Sequence, residues 1–377
     1  MSHSGEELRH AIRRRPGMYV GDTLEFGLTR LAESLLFLGV IAGREGRVRE
    51  ISLSLGADGS CGISFDGWPW PLPPGTSPIV DVGRWLTFVN FDIDAKRQPG
   101  MPRGVIFPVP YVDLGVVNAL ASSLEVVVCA EGQRWRQRFR EGLSQGEPHS
   151  DVSGSAASAA GTGLHIRFTP DATVFEPPRR FPLKWLRARL ASFSAFHAGI
   201  TWHLRDEVSG LDERYLRERG LPDFCAELSE PSRPIHVPWS FEGQAGTTWV
   251  RLALQWGEAL GHGVVSWANL RECTLDGTHH DGLVLGLRKA LRARMKARGP
   301  EQEALSFTDA ALLRHLTAVL ELVVPHTVWH GPTQEQLANP EAKADVAQLV
   351  STWVEQSLAS HPDLESRVLE LSGVPRG

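Results

Sequence analysis

The sequence is short of cysteine, and the few it has do not cluster. Cys61, Cys129, Cys225 and Cys273 lie far apart in 377 residues and form no CxxC pair. That excludes a zinc knuckle and a disulfide framework, and leaves reduced, buried thiols of the kind cytoplasmic proteins carry. No stretch reaches the ~20 consecutive apolar residues that a membrane helix needs. Residues Met1 to His10 are polar and charged, which is not a secretory signal. The expectation is a cytoplasmic protein with no membrane partner. A basic field is absent too: the net charge is −5, so bulk charge offers no argument for nucleic acid or an anionic surface. There is no internal repeat. What remains is ordinary globular material, 42% hydrophobic and 22% charged, long enough for two domains.

Patterning places the elements. Leu31 to Ala42 is apolar almost all the way round, which predicts a helix buried on most faces. Ile51–Leu55 and Cys61–Phe65 alternate with period two around the turn Ala57-Asp58-Gly59-Ser60, a hairpin with one face in a core. Pro69 to Pro78 is too rich in proline for regular structure. A helix over Val112–Ser122 precedes strands at Leu124–Cys129 and Arg134–Arg140, the second with Trp135, Gln137 and Phe139 on one face. Leu143 to Gly161 is rich in Ser, Ala and Gly and reads as a mobile surface loop. A strand at Leu164–Phe168, a helix near Pro182–Phe196 and a strand at Ile200–Leu204 complete a first domain.

Asp206 to Pro238 reads as irregular and is the expected domain boundary, dividing 1–215 from 216–377. The second domain has strands at Val250–Trp256, Val264–Leu270 and Val319–Val324. Its helices span Asp281–Ala297, Thr308–Leu316 and Pro340–Ala359, with a loop from Trp329 to Asn339. Strands joined by tight turns and mixed with helices make an α+β architecture.

Motifs narrow the class. Arg13-Arg14-Arg15-Pro16-Gly17-Met18-Tyr19-Val20-Gly21-Asp22-Thr23 resembles the opening signature of the ATPase half of the B-type subunits of type IIA DNA topoisomerases, those of DNA gyrase and topoisomerase IV. In order behind it come Gly27-Leu28, Val116–Ala121, Gln137-Arg138-Phe139, Gly161-Thr162-Gly163, Arg167–Asp171 and Gly199-Ile200 with Asp206-Glu207. Then follow Ala268-Asn269, Asp276–Gly282 and Leu337-Ala338-Asn339 with Glu341-Ala342-Lys343. The resemblance runs from about Glu7 to Leu371. It implies a Bergerat-type (GHKL) α/β sandwich, followed by a transducer domain of ribosomal-protein-S5-like fold.

The same resemblance implies an ATP site whose residues are replaced here. The general-base Glu is Ser34 and the Mg²⁺-binding Asn is Leu38, with Phe37 where an Asp sits. Glu33 is a possible substitute base, but one residue of helix turns a side chain by about 100°. In the adenine-reading turn, Phe65 stands for the Asp, Trp68 for the Arg and Pro69 for a Gly, while Asp66 falls one residue late on the opposite face of its strand. Asp66, Gly67, Pro71, Thr162 and Gly163 are the residues left to touch a nucleotide. The glycine lid that wraps phosphates becomes Val109-Pro110-Tyr111-Val112-Asp113, with no glycine to open backbone N–H groups to an anion. Leu164 replaces a Thr, and Gln334 replaces the lysine that reaches the γ-phosphate.

The bland reading of Phe37, Leu38, Phe65, Trp68 and Trp70 is a filled cavity that packs as core; the sharper one is an aromatic pocket for another ligand. Arg288, Lys289, Arg292 and Lys296 are candidates to face DNA, against the alternative of a solvated basic face. His279, a lone histidine in its turn, reads as structural. The expected function is that of a stand-alone homologue without ATP hydrolysis, a pseudoenzyme. It needs no cofactor or metal, and it binds a topoisomerase subunit, a companion protein or DNA, or pairs as a homodimer. The alternative is a divergent ATP-dependent subunit that uses ATP and Mg²⁺ and works with other subunits. The resemblance also implies that strand passage is not expected of this polypeptide alone: that reaction uses an acidic metal-binding domain, for which no room is expected here, and a catalytic tyrosine that belongs to a partner subunit.

Overall fold

The structure is a computed structural model. It describes residues 5–44, 46–68, 77–87, 114–130, 132–150, 163–299, 305–331 and 335–375. These fall into two compact units, the first closing at Glu218 and the second opening at Arg219.

The first unit begins with helices α1 (Gly5–Arg14), α2 (Gly17–Val20) and α3 (Glu25–Arg44), then strands β1 (Glu50–Leu55) and β2 (Cys61–Phe65). Helices α4 (Pro78–Thr87) and α5 (Leu114–Ala119) lead to β3 (Ala121–Ala130), β4 (Gln133–Arg140), β5 (Leu143–Ser144), β6 (His149–Ser150) and β7 (Gly163–Pro170). Helix α6 (Leu183–Phe196), β8 (Thr201–Asp206) and β9 (Leu211–Tyr215) complete it. The strands form one sheet in the order β5-β4-β3-β7-β2-β1-β8-β9, with β6 also on β4. The pairing of β1 with β8 is parallel, while β2, β7, β3 and β4 pair antiparallel. Along β1, Ile51, Leu53 and Leu55 are buried while Ser52 and Ser54 stay half-exposed, so one face makes the core and the other does not.

Helix α3 starts where it does because Asp22 caps it. The carboxylate Oδ1 accepts from the backbone N–H of Leu24 (3.0 Å) and Gly27 (2.7 Å). Gly27 has no substitute: an added Cβ would sit 2.2 Å from the Asp22 carbonyl oxygen. Gly39 lets the helix settle on the sheet, since a Cβ there would meet Ile51 at 2.9 Å and the Trp202 ring at 3.0 Å. Leu31, Leu35, Leu36 and Val40 are buried along it, each worth about 1.5–3 kcal/mol. The opening signature is held by Arg13. Its guanidinium donates to the Ala119 carbonyl (2.9 Å) and to Asp171 Oδ2 (2.6 Å), tying α1 to the end of β7. Burial alone would raise the Asp171 pKa; hydrogen bonds from Thr173 and Arg13 outweigh it and hold the carboxyl below the usual range.

The second unit comprises α7 (Leu221–Ser229), a 3-10 turn at Glu230–Ser232, β10 (Trp239–Ala245), β11 (Thr248–Trp256), β12 (Gly263–Ala268) and β13 (Arg271–Glu272). Next are α8 (Thr278–Ala297), β14 (Leu305–Ser306), α9 (Asp309–Arg314), β15 (Leu316–Val323), β16 (Trp329–His330) and β17 (Gln336–Leu337). Helices α10 (Pro340–Ala359) and α11 (Pro362–Ser372) precede β18 (Val374–Pro375). The sheet order is β10-β11-β15-β12-β13. Helices α8 and α10 approach closely through Gly282 and Gly286, where a Cβ would lie 2.7 Å from the Lys343 carbonyl and 2.8 Å from Val350. Every residue of β15 is buried, including Glu321, whose charge is answered by Arg251 opposite it on β11.

Several boundaries differ from the sequence pattern, for tertiary reasons. The helix expected over Val112–Ser122 is limited to α5 among the described residues, because Ala121 already pairs with Pro170 in the sheet. Pro78 opens α4, a first-turn position that needs no N–H. The expected loop at Leu143–Gly161 contains β5 and β6; its residues from 151 lie outside those described. Asp206–Pro238 is not irregular but holds β9 and α7, and Trp329–Asn339 holds β16 and β17. Leu316 belongs to β15, not to the preceding helix. Strands β10 and β9 are sheet edges held by one neighbour, and such strands follow packing more than propensity.

Candidate functional site

The expected nucleotide site lies where α3 packs over β2. Ser34, Phe37 and Leu38 fall on one helical face, three and four residues apart. The Ser34 hydroxyl donates to the Arg30 carbonyl one turn back, at 2.8 Å. Leu38 is half-buried and Phe37 buried. Glu33 is turned to a different partner set. One carboxylate oxygen accepts from Arg30 (3.1 Å), the other from Arg189 on α6 (2.7 and 3.1 Å), and only a tenth of the side chain is exposed. Arg30 lies over the Phe26 ring and Arg189 over the Trp185 ring, so the ion triad is flanked by cation–π contacts.

On the sheet, Phe65 of β2 sits opposite Leu164 of β7, and both are buried, as is Trp68 beyond the strand end. Gly163 fits close against the same strand: a Cβ there would come within 2.6 Å of the Phe65 carbonyl. Gly67 is equally constrained, 2.3 Å from the Arg47 carbonyl by the same measure. Asp66 is exposed, and its Oδ1 accepts from the backbone N–H of Arg49 at 2.9 Å. It closes the strand end rather than pointing to the face that carries Phe65. Trp70, Pro69, Pro71, the run Val109–Asp113, Thr162 and Gln334 lie outside the described residues. Among the described residues no group of three His, Cys, Asp or Glu side chains could hold a metal ion, and no helix is long and apolar enough to cross a membrane. The described positions thus offer a spent hydroxyl, a carboxylate clamped by two guanidiniums, and apolar side chains. That set suits neither a Mg²⁺, which wants oxygen ligands, nor the polar edge of a purine.

In the second unit the motif turns are structural. Asn269, at φ +49°, both donates to the Val324 carbonyl and accepts from its N–H, at 2.9 Å each. Asn339 accepts from Val328 N–H and donates to the His326 carbonyl, both at 2.7 Å. His279 is fully buried, with Nε2 2.7 Å from Ser266 Oγ; burial, then the neighbouring His280, push its pKa down to about 4. The basic helix α8 divides. Arg288 is bound to Asp309 and the Phe307 carbonyl, and Arg294 and Arg298 to buried Glu365. Lys289, Arg292 and Lys296 are exposed along one stripe, three and four residues apart. Sequence spacing alone does not give the Arg30–Glu33–Arg189 clamp; the i, i+3 relation of Arg30 and Glu33 is its one local signal.

Fold and motifs together define a class: an ATPase-type sandwich followed by a transducer. Residues 220–373 match the family model described as DNA gyrase B. Over 374 residues the chain is 27% identical to the chloroplastic/mitochondrial DNA gyrase B protein of Nicotiana benthamiana, covering 96% of this chain and 50% of that one. It is also 27% identical to the gyrase B protein of Helicobacter pylori strain 26695 (98% and 47% covered) and to the B subunit of DNA topoisomerase 4 from Streptococcus pneumoniae (95% and 55%). The chain therefore spans about half the length of the curated relatives it matches. Among solved structures, the B subunit of Myxococcus xanthus gyrase superposes with a TM-score of 0.76 at 28% identity, covering 97% of this chain and 99% of that one. The 43K ATPase domain of Thermus thermophilus gyrase B has the same fold, with a TM-score of 0.79 at 24% identity, covering 97% and 93%. The chain is similar along nearly its whole length to the amino-terminal half of the B-type subunits of type IIA topoisomerases, and its fold is the α+β, GHKL-and-transducer fold which that similarity implies.

Proposed function

We propose that this chain keeps the scaffold of a gyrase B amino-terminal half without its ATP hydrolysis, and works by binding a topoisomerase subunit, a companion protein or DNA. The reading rests on the two residues that stand where a general base is needed. Ser34 carries no carboxylate, and its hydroxyl gives its proton to its own helix. Glu33 is committed to Arg30 and Arg189. A base needs a lone pair aimed at the water it activates, and three of the roughly four acceptor sites of this carboxylate already hold guanidinium N–H groups, which turn it toward Arg30 and Arg189. Phe65, Trp68 and Leu164 support a site packed as core rather than one holding a purine. The exposed stripe Lys289, Arg292 and Lys296 supports DNA as one partner, by phosphate contact.

The other reading is a divergent subunit that still binds ATP and works with other subunits. It requires Glu33 to leave both arginines and Asp66 to leave the Arg49 N–H. Phosphate release from Mg²⁺-ATP separates the two. The purified chain and its Glu33→Ala variant are expected to show the same rate, that of the protein-free blank. The variant loses about 3 kcal/mol of stability, the lower range for breaking a buried pair. Turnover in the parent that vanishes in Glu33→Ala returns the enzyme reading.

A further inference from the structure

The side of the first sheet away from α3 carries an arginine grid that an ATP site has no use for. Strand β4 reads Gln133-Arg-Trp-Arg-Gln-Arg-Phe-Arg140. Trp135, Gln137 and Phe139 share a face with Val128, Val126 and Leu124, directly opposite on β3, and Phe139, Val128, Val126 and Leu124 are buried. Arg134, Arg136, Arg138 and Arg140 therefore leave β4 on the other side, about 6.6 Å apart along the strand. On β7, His165 and Arg167 reach the same face, aligned through Val127 and Glu125 of β3 with Arg136 and Arg138.

Two carboxylates answer this grid among the described residues. Glu125 lies between two guanidiniums, 2.8 Å from Arg138 and 3.8 Å from Arg136, and Asp58 lies 3.0 Å from Arg167. Among the described residues the grid carries more arginines than carboxylates, in a chain of net charge −5. Its field is felt locally: burial first, then the charges of Arg167 and Arg134, disfavour protonation of His165.

We infer that this face of β4, β3 and β7 binds a phosphodiester backbone, a site separate from the α8 stripe and not dependent on the fate of the nucleotide pocket. Every cation of the grid apart from His165 is arginine, and β3, β4 and β7 contain no lysine. Guanidinium forks suit phosphate oxygens, which they grip in pairs. The half-exposed hydroxyl of Ser64, 2.7 Å from His165 Nδ1, adds a neutral polar group beside them. A protein partner fits less well. A protein interface needs an apolar centre, and of the large exposed apolar side chains among the described residues only Leu143, opposite Arg140, lies at the margin of this face.

The test is fluorescence anisotropy of a labelled DNA duplex of about 30 base pairs with the full chain, between 50 and 200 mM salt. Arg134→Gln with Arg138→Gln changes exposed side chains only. The pair is expected to weaken binding about tenfold or more and to lower the slope of log K against log salt by about two, at unchanged thermal stability. Glu125→Gln, which removes the opposing charge, is expected to tighten binding severalfold. Unchanged affinity and slope in the double variant overturn the inference. So does tighter binding of a poly-glutamate peptide than of the duplex, which would make an acidic protein the ligand. Loss of all duplex binding in Lys289→Gln with Lys296→Gln, beside an unaffected β4 variant, overturns it as well.

Discussion

A Phe65→Asp variant, which restores the carboxylate that reads adenine in the resembled family, is expected to lose about 4 kcal/mol or more and to gain no nucleotide binding. Phe65 is only 4% exposed and stands between Ile51 and Leu164 in the ladder, both buried. Removing a buried phenyl ring costs about 3–5 kcal/mol before any charge is considered. An aspartate at that place is also dehydrated, and the facing residues Ile51 and Leu164 offer it no cation, so it either stays neutral or opens the structure. Thermal unfolding with and without nucleotide reads the outcome, and a drop on the order of 10 °C is expected. A variant as stable as the parent, and further stabilised by ATP, would mean that the face of β2 still borders an open pocket.

Acid is expected to weaken the second unit between pH 6.5 and 4. Burial, with the nearby His361, pushes His236 down to about 4 against one favourable backbone bond, and burial pushes His279 to about 4 as well. His236 is fixed as the neutral ring: Nδ1–H donates to the Val237 carbonyl at 2.6 Å and Nε2 accepts from Trp256 N–H at 2.9 Å. It packs against Trp239 and Trp256. Both folded pKa values lie below the unfolded value near 6.5, so the unfolded chain takes up protons first as the pH falls. Stability from these groups is complete above pH 6.5 and is lost on the way down to about 4, by up to about 3 kcal/mol for each. Urea midpoints measured from pH 7 to 4.5 should fall steadily, and a His279→Gln variant should fall by about half as much. A flat profile would show that both rings are hydrated in solution.

How much of the structure is legible in the sequence follows from how local each feature is. The helix buried on most faces, the β1–β2 hairpin and the first-turn proline of α10 each rest on patterns within one element. The Arg13 signature is visible as a motif, but its physical reason, a bond to Asp171 158 residues away, needs coordinates. The edge strands β9 and β10 and the short pairs β5, β6, β16 and β17 leave little local trace, because context decides their pairing. In the site, the departures of Ser34, Leu38, Phe65 and Leu164 from the residues of the resembled family are legible in the sequence. The role of Glu33 does not follow from its position: Arg189 comes from another helix, and only the fold brings it within 2.7 Å. The basic stripe is half legible, since spacing shows the charges on α8 but not that Arg288 and Arg294 are already bound.

If the site over β2 has become core, it takes no nucleotide, and calorimetric titration of the purified chain with a non-hydrolysable ATP analogue and Mg²⁺ decides the matter. No binding heat is expected up to about 1 mM analogue, which corresponds to less than roughly 4 kcal/mol of binding free energy. A saturable isotherm with a micromolar Kd would be incompatible with a closed site and would return this chain to the ATP-driven subunits it resembles.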